Sequence, residues 1–409
     1  MMKLFSFHSR TTLLISLFLS LIISNKSMTI EMPTNLRVAT FNVSMEALNY
    51  TDQKNRKASS VDKNELSFAL QNDHQQIKNI AEIIQRVNPD IILLNEFDRV
   101  DDSATNIHYF LEHYLSKSQH NQQAINYPYF YQGAVNTGVK VNSDIDQNGK
   151  SSQLPVDAHG FGYFVGHFGM VLLSKYPIDK SAIRTFQKFK WHDMPKALKP
   201  INPETKQFWF SDQTWKRLRL SSKSHWDIPI KINDKTIHIL ASHPTPPVFD
   251  GPENRNGNRN HDEIRFWFDY INTEQGAYIY DDNKQKGALK ANQRFIIMGD
   301  QNASRVEGDA IMTKTSQGII ALLNSDKIQD PLPTSIGGEK HLIDNKHSIN
   351  HTAYWGMRAD YVLPSAFGFT IKESGVFWPE ANEETHRLIK NRQASSDHRL
   401  VWVDVELTK

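Results

Sequence analysis

In the stretch RFIIMGDQNAS, residues 294–304, four apolar residues from Phe295 to Met298 run without interruption and stop at Gly299. A short apolar run bounded by glycine is the pattern of a buried strand. Asp300 and Asn302 follow, one residue apart, at the mouth of the sheet that this strand joins. A carboxylate there can activate a water, and an amide can hold a phosphate oxygen. Turns after strands favour the same residue types, so the motif gains meaning only if other apolar runs end in the same way.

They do. Residues 36–41 (LRVATF) read as a strand that ends at Asn42, and residues 91–94 (IILL) as a strand that ends at Asn95 and Glu96. Between them Ile77, Ile80, Ala81, Ile84 and Val87 recur at helical spacing, which predicts a helix over 74–87 broken by Asn88-Pro89. Strand, helix, strand is the opening of an α/β-layered fold. A second helix is expected over 105–115, with Ile107, Phe110, Leu111 and Tyr114 on one side, and a strand over 170–173. Residues 224–232 and 235–241 alternate around Asn233-Asp234 as a hairpin, whose second strand runs out at Ser242-His243-Pro244. A helix near Gln317–Leu323, a strand opening at Asp360 and a terminal strand over 400–407, introduced by Ser395-Ser396-Asp397-His398-Arg399, complete the pattern. Residues 186–222 are aromatic-rich and predict no regular element.

Two polar insertions interrupt this order. Residues 127–166 contain Asp144, Asp146, Asn148, Gly149 and Lys150, the D-x-D-x-N-G spacing of a calcium loop, with Lys150 where such a loop offers a backbone carbonyl. Position twelve is Pro155 rather than Glu, and Asp157 is close enough to take its place. The alternative is a solvated loop of Asx turns; a calcium ion here would shape the loop and take no part in chemistry. In the second insertion, 251–262, Asn260 followed by Glu263 is a capping-box pattern. It predicts a helix starting at Asn260, with Ile264, Trp267, Phe268 and Ile271 on its apolar face. Arg255, Arg259 and His261 would then gather at the helix N-terminus, as a contact for a substrate phosphate.

Composition narrows the function. The chain has 409 residues, 39% of them hydrophobic, which is ample for a large core. No cysteine is present, so thiolate metal sites and a cysteine nucleophile are excluded. No G-x-S-x-G occurs, which argues against a serine hydrolase. Residues 1–27 carry Lys3 and Arg10 ahead of an apolar run over 13–23, the pattern of a secretory signal peptide, though the cleavage site is poorly marked. The run falls short of the ~20 residues that span a bilayer. A mature chain without Lys3, Arg10 and Lys26 drops from a formal net charge of +2 to −1. That balance weighs against a protein built to grip long nucleic acid.

Taken together, Asn42, Glu96, His243, Asp300 with Asn302, Asp360, and Asp397 with His398 stand at the ends of separate strands. This order of motifs, N … NE … SH … GDxN … DY … SDH, resembles the endonuclease/exonuclease/phosphatase superfamily with its DNase I-like fold, over residues 35–407. The resemblance implies a four-layered α/β sandwich, two packed mixed sheets flanked by helices. It implies Mg²⁺ or Mn²⁺ held by Glu96 with Asn42 and Asp397 close by, and Asp300 and Asn302 positioning the attacking water. Asp360 would fix the tautomer of His398, and His243 would be a second phosphate-facing histidine. Two departures stand out. Ser44 occupies a position that is acidic in many nucleases of the family, and their tyrosine after the central strands has no counterpart, Phe168 being no substitute.

The expected protein is therefore a secreted or periplasmic, monomeric, metal-dependent hydrolase of a small or lipid-derived phosphate ester. A secreted nuclease is the second reading. A catalytically silent, calcium-stabilised surface module is the third.

Overall fold

The computed structural model describes residues 35–51 and 61–408 together with residue 1. The signal-peptide reading of residues 1–27 lies outside the described residues, apart from Met1. Strands β1 (Asn35–Met45), β2 (Ile91–Phe97), β3 (Tyr129–Tyr131), β4 (Met170–Ser174), β5 (Arg184–Thr185), β6 (His225–Ile232), β7 (Lys235–Ser242), β8 (Arg294–Asp300), β9 (Asp360–Pro364), β10 (Phe369–Val376) and β11 (Val401–Leu407) form two sheets. The helices are α1 (Ala47–Tyr50), α2 (Glu65–Gln71), α3 (Gln75–Val87), α4 (Thr105–Phe110), α5 (Asp212–Arg217), α6 (Arg255–Tyr270), α7 (Asp309–Met312), α8 (Gln317–Leu323) and α9 (Ile336–His341).

One sheet runs β10-β11-β1-β2-β4-β3 and the other β5-β6-β7-β8-β9. Among these strands only β1 with β2 and β7 with β8 pair in parallel; the other strand pairings are antiparallel. The central strands β1 and β2 pack against β8 and β9, so the two sheets meet face to face with helices outside. This is the four-layered DNase I-like sandwich that the resemblance implies. The central strands are covered on both faces, which is why β2 reads IILL without alternation and lies almost wholly buried. On β11, Val401, Val403, Val405 and Leu407 point into the core, while Trp402, Asp404 and Glu406 are half-buried.

Helix α3 buries Ile77, Ile80, Ala81, Ile84 and Val87, as its spacing predicts. It stops where Asn88 takes the left-handed conformation ahead of Pro89. Helix α4 continues as a π-helical turn through Leu111–Leu115 and buries Ile107, Phe110 and Tyr114.

Two expectations change. Helix α6 begins at Arg255, not at Asn260. Its cap is Asn254 in the left-handed conformation, and Asn260 and Glu263 are buried inside the helix. They do not cap because their side chains satisfy loop backbone elsewhere. Asn260 donates to the carbonyls of Thr245 and Gln301, both at 2.9 Å, and Glu263 accepts from Ser222 N and Thr245 N, both at 2.6 Å. Residues 186–222 are also more than a connection. Phe186, Phe189, Trp191, Phe210 and Trp215 join Phe266, Trp267 and Tyr270 of α6 in an aromatic core outside the second sheet. Among the described residues no helix is long and apolar enough to cross a membrane.

Candidate active site

The site lies where strand ends from both sheets converge. Its position depends first on Gly299, whose φ is +135°. A Cβ there would come within 2.0 Å of the Ser242 carbonyl oxygen, so only glycine lets β8 approach β7 this closely before Asp300. Asp300 is fully buried. Its Oδ2 accepts from Asn42 Nδ2 at 3.1 Å and lies 3.4 Å from His243 Nε2 and 3.5 Å from His398 Nε2. Its Oδ1 accepts from the backbone N–H of Asn302 at 2.9 Å, and Asn302 Nδ2 donates to the Pro244 carbonyl at 3.1 Å. Ser44, Glu96 and Asn302 all hold left-handed backbone at their strand exits. Non-glycine residues in this region carry about 1 kcal/mol or more of strain each, which recurs at functional sites.

His398 Nδ1 bonds Asp360 Oδ2 at 2.9 Å, and the Thr352 hydroxyl donates to the same oxygen at 2.8 Å. Burial works against the imidazolium, but Asp360, then Asp300, outweigh it and hold the pKa of His398 well above that of a free histidine. Burial raises the pKa of Asp300, with His398 opposing and Asp360 reinforcing. Its carboxyl therefore sits closer to neutrality than a solvated one, which suits a group that exchanges a proton with water. His243 is different. Burial, helped by Lys223 and His398, holds its pKa far below the ordinary value, so its ring is neutral. Its Nδ1 has no partner among the described residues.

The expected metal residues are arranged around a guanidinium. Arg392 lies 2.9 Å from Asp397 Oδ2, 3.5 Å from Glu46 Oε1 and 4.0 Å from Glu96 Oε2. Burial raises the pKa of Glu96, Arg392 pulls it back, and Glu46 and Asp397 push it further up. Glu46, Glu96 and Asp397 offer only oxygen donors, the kind a hard divalent cation takes, and around Arg392 their carboxylate oxygens do not all lie within 4.8 Å of one another. Asn42 is turned instead toward Asp300, and its Oδ1 accepts from Ser44 N at 3.2 Å.

Among the described residues, two groups of potential ligand atoms lie within 4.8 Å of one another: Asp300, Asp360 and His398, and Asp144, Asp146 and Asp157. In the first, His398 Nδ1 bonds Asp360 Oδ2 at 2.9 Å and its Nε2 lies 3.5 Å from Asp300 Oδ2, so both ring nitrogens face carboxylates. In the second, Asp144 accepts from Asn148 N and Gly149 N, and the buried Asp157 accepts from Ile145 N and Gln153 N. Asn148 caps Lys150 N through its own side chain. These are the Asx-turn contacts weighed as the alternative to calcium.

The cluster expected of Arg255, Arg259 and His261 does not form. Because the helix starts earlier, Arg259 and His261 sit in its body. Arg259 donates to the Leu220 carbonyl at 2.7 Å, the Arg219 carbonyl at 3.0 Å and the His159 carbonyl. His261 Nδ1 pairs with Asp262 at 2.9 Å. Arg255 pairs with Glu253. Arg255 and Arg259 line the active-site cavity; His261 does not.

That cavity measures about 830 Å³ and is lined by Glu96, His243, Asp300, Asn302, Asp397 and His398. Three further charged residues escape a reading of the sequence. Lys223 is buried and lines the cavity, and its ammonium makes no direct hydrogen bond or ion pair among the described residues. Its position just before a strand with both faces covered was the available signal. Glu46, bonded through Oε2 to His167 at 3.1 Å, stands two residues beyond Ser44 and brings a carboxylate near the place where the family pattern has one. Arg392 comes from an irregular loop with no periodic signal. Phe168, in left-handed backbone, also faces the cavity.

A family model described as Endonuclease/Exonuclease/phosphatase family matches residues 39–398. Similar solved structures include an endonuclease/exonuclease/phosphatase from Beutenbergia cavernae DSM 12333, 16% identical. The match covers 91% of this chain and 72% of that one, with a TM-score of 0.48. The human Nocturnin catalytic domain with bound sulfate anion is 13% identical, covers 93% and 97% of the two chains and has a TM-score of 0.44. A family protein from Bacteroides thetaiotaomicron is 12% identical over 92% and 99%, with a TM-score of 0.45. No curated protein sequence matches the chain.

Proposed function

Because the chain belongs to the endonuclease/exonuclease/phosphatase family, we propose that it hydrolyses a phosphoester by in-line attack of water, with a divalent cation held by Glu96 and Asp397. The observation that carries this reading is the unbroken contact chain from Asn42 and His243 through Asp300 to His398 and Asp360, facing one cavity. Asp300 takes the proton of the attacking water, and the backbone N–H of Asn302 fixes its carboxylate. His398, kept cationic by Asp360, and the unpaired ammonium of Lys223 meet the charge that builds on the phosphoryl oxygens. His243, being neutral, donates one hydrogen bond and carries no charge. Mg²⁺ or Mn²⁺, when bound, supplies polarisation of a phosphoryl oxygen. Glu46 is a third carboxylate within reach of that cation.

Substrate size and export belong to the same proposal. The near-neutral chain favours a small phosphate ester over long nucleic acid, with a nuclease as the second reading. Residues 1–27 support secretion, and N-terminal sequencing of the exported protein tests it. The activity test uses the purified chain with Mg²⁺, Mn²⁺ or EDTA on bis-p-nitrophenyl phosphate, p-nitrophenyl phosphate and plasmid DNA. Metal-dependent turnover that Asp300→Ala abolishes is expected. Turnover that EDTA leaves intact refutes the metal-dependent reading; no turnover on any substrate together with no Mn²⁺ binding returns the silent module.

A further inference from the structure

The active-site cavity has two chemically distinct parts. The catalytic groups occupy one. Most of the rest of the lining is apolar and comes from the segments between strands, with Arg255, Arg259, Asn256, Thr245 and Asp309 as its polar members. Trp191, Phe210 and Leu218, all buried, line it together with Ile145 and Val156 of the 127–166 insertion. Trp355 joins the two parts: it is 48% exposed and meets His398 edge-on, with ring centroids 4.8 Å apart. Phe161 and Phe249, 52% and 89% exposed, stand on the same cavity.

A contiguous exposed apolar surface rimmed by polar groups marks a binding groove. No described segment of this chain covers Phe249 or Trp355. The surface is continuous with groups suited to phosphate, so its occupant must carry a phosphoryl group at one end. Against Trp191, Phe210, Leu218, Ile145 and Val156, a sugar or a nucleotide chain would leave its hydroxyls or phosphates unpaired. A cavity of about 830 Å³ is in the range that encloses a molecule of several hundred daltons.

Resting on the phosphoesterase reading, we propose that the apolar part of the cavity binds an alkyl or aryl group of the substrate, so that the protein selects phosphate esters of apolar alcohols. Residues of the 127–166 and 186–222 segments, with Trp355 and Phe249, then determine specificity, and the strand ends determine chemistry. The phosphoryl group lies among Lys223, His398 and Asp300, and the apolar group extends from it across Trp355.

Binding of methyl, hexyl, dodecyl and phenyl phosphate to the full chain carrying Asp300→Ala, with Mg²⁺, followed by calorimetry below micellar concentration, tests this without turnover. Full burial strengthens binding about fourfold per methylene and half burial about twofold, so hexyl phosphate is expected to bind at least about 30-fold more tightly than methyl phosphate. Val156→Trp fills the apolar part and flattens the series while methyl phosphate binding stays unchanged. Phe249→Ala, on an exposed side chain that folding does not need, weakens the dodecyl ester and spares the methyl one. The phenyl arm separates aromatic from aliphatic selection. Equal affinity for methyl and hexyl phosphate overturns the proposal, as does a full chain-length gain that persists in both variants. If bis-p-nitrophenyl phosphate is cleaved while the series is flat, the apolar site alone falls. If the series rises with no hydrolysis, the catalytic reading falls and the apolar site stands.

Discussion

Asp360→Asn isolates the charge behind His398 from the geometry that holds it. In the wild-type site, Asp360 Oδ2 accepts from both His398 Nδ1 and the Thr352 hydroxyl, whereas Oδ1 is buried without a partner. Thr352 Oγ1 itself accepts from the backbone N–H groups of Ala359 and Asp360, so its own proton is directed at Oδ2. An asparagine therefore settles with its carbonyl oxygen in the Oδ2 position, because the reverse orientation would set an amide donor against two other donors. The tautomer of His398 survives and only the charge is lost. A charge-assisted hydrogen bond contributes about 1.5–3 kcal/mol, so kcat is expected to fall about 10- to 150-fold. The same energy lowers the pKa of His398 by about 1–2 units, toward the free-histidine value. Asp360→Ala removes tautomer control as well and falls further. The assays are steady-state kinetics on bis-p-nitrophenyl phosphate and an NMR titration of His398 in EDTA. An unchanged kcat would refute a role for the imidazolium. A loss near 10⁴-fold would show that the amide is reversed and that the partnerless Oδ1 position accepts a donor.

Three further outcomes follow from other parts of the site. Glu263→Ala orphans the buried N–H groups of Ser222 and Thr245 and should cost about 2–6 kcal/mol in urea unfolding, since each orphan costs about 1–3; a loss under 1 kcal/mol would contradict the assignment. Gly299→Ala places a methyl 2.0 Å from the Ser242 oxygen in a left-handed backbone, so thermal unfolding should show a loss of more than about 1 kcal/mol, with activity gone. Arg392→Gln removes a cation within 4.0 Å of three carboxylates. Because Arg392 is 42% exposed, the low end of about 1–4 kcal/mol applies, and Mn²⁺ affinity measured by calorimetry should rise about tenfold; weaker binding would make Arg392 a support of the metal site.

The sequence carries the sandwich because each buried strand is an apolar run with a polar residue at its exit, a local signal at Phe41–Asn42, Leu94–Glu96 and Met298–Asp300. Helix α6 defeated the same logic. Its first turns are polar, and their burial depends on carbonyls of Thr245 and Gln301 that come from distant loops. Nothing local in NRNGNRNHDE distinguishes a buried polar face from a solvated loop. Glu46 was hidden because β1 continues beyond its apolar run to Met45. Lys223 and Arg392 were hidden because their surroundings are assembled only when both sheets close.

The Arg259 guanidinium touches carbonyl oxygens of residues 159, 219 and 220 and no side chain of theirs. A peptide carbonyl is the same whatever residue bears it. The fastening between α6 and the two irregular segments around the cavity is thus blind to the identity of those residues. A substitution at any of the three leaves these bonds in place, so the joint holds the cavity-lining neighbours Ala158, Leu218 and Ser222 at the same backbone positions whatever side chains it passes through.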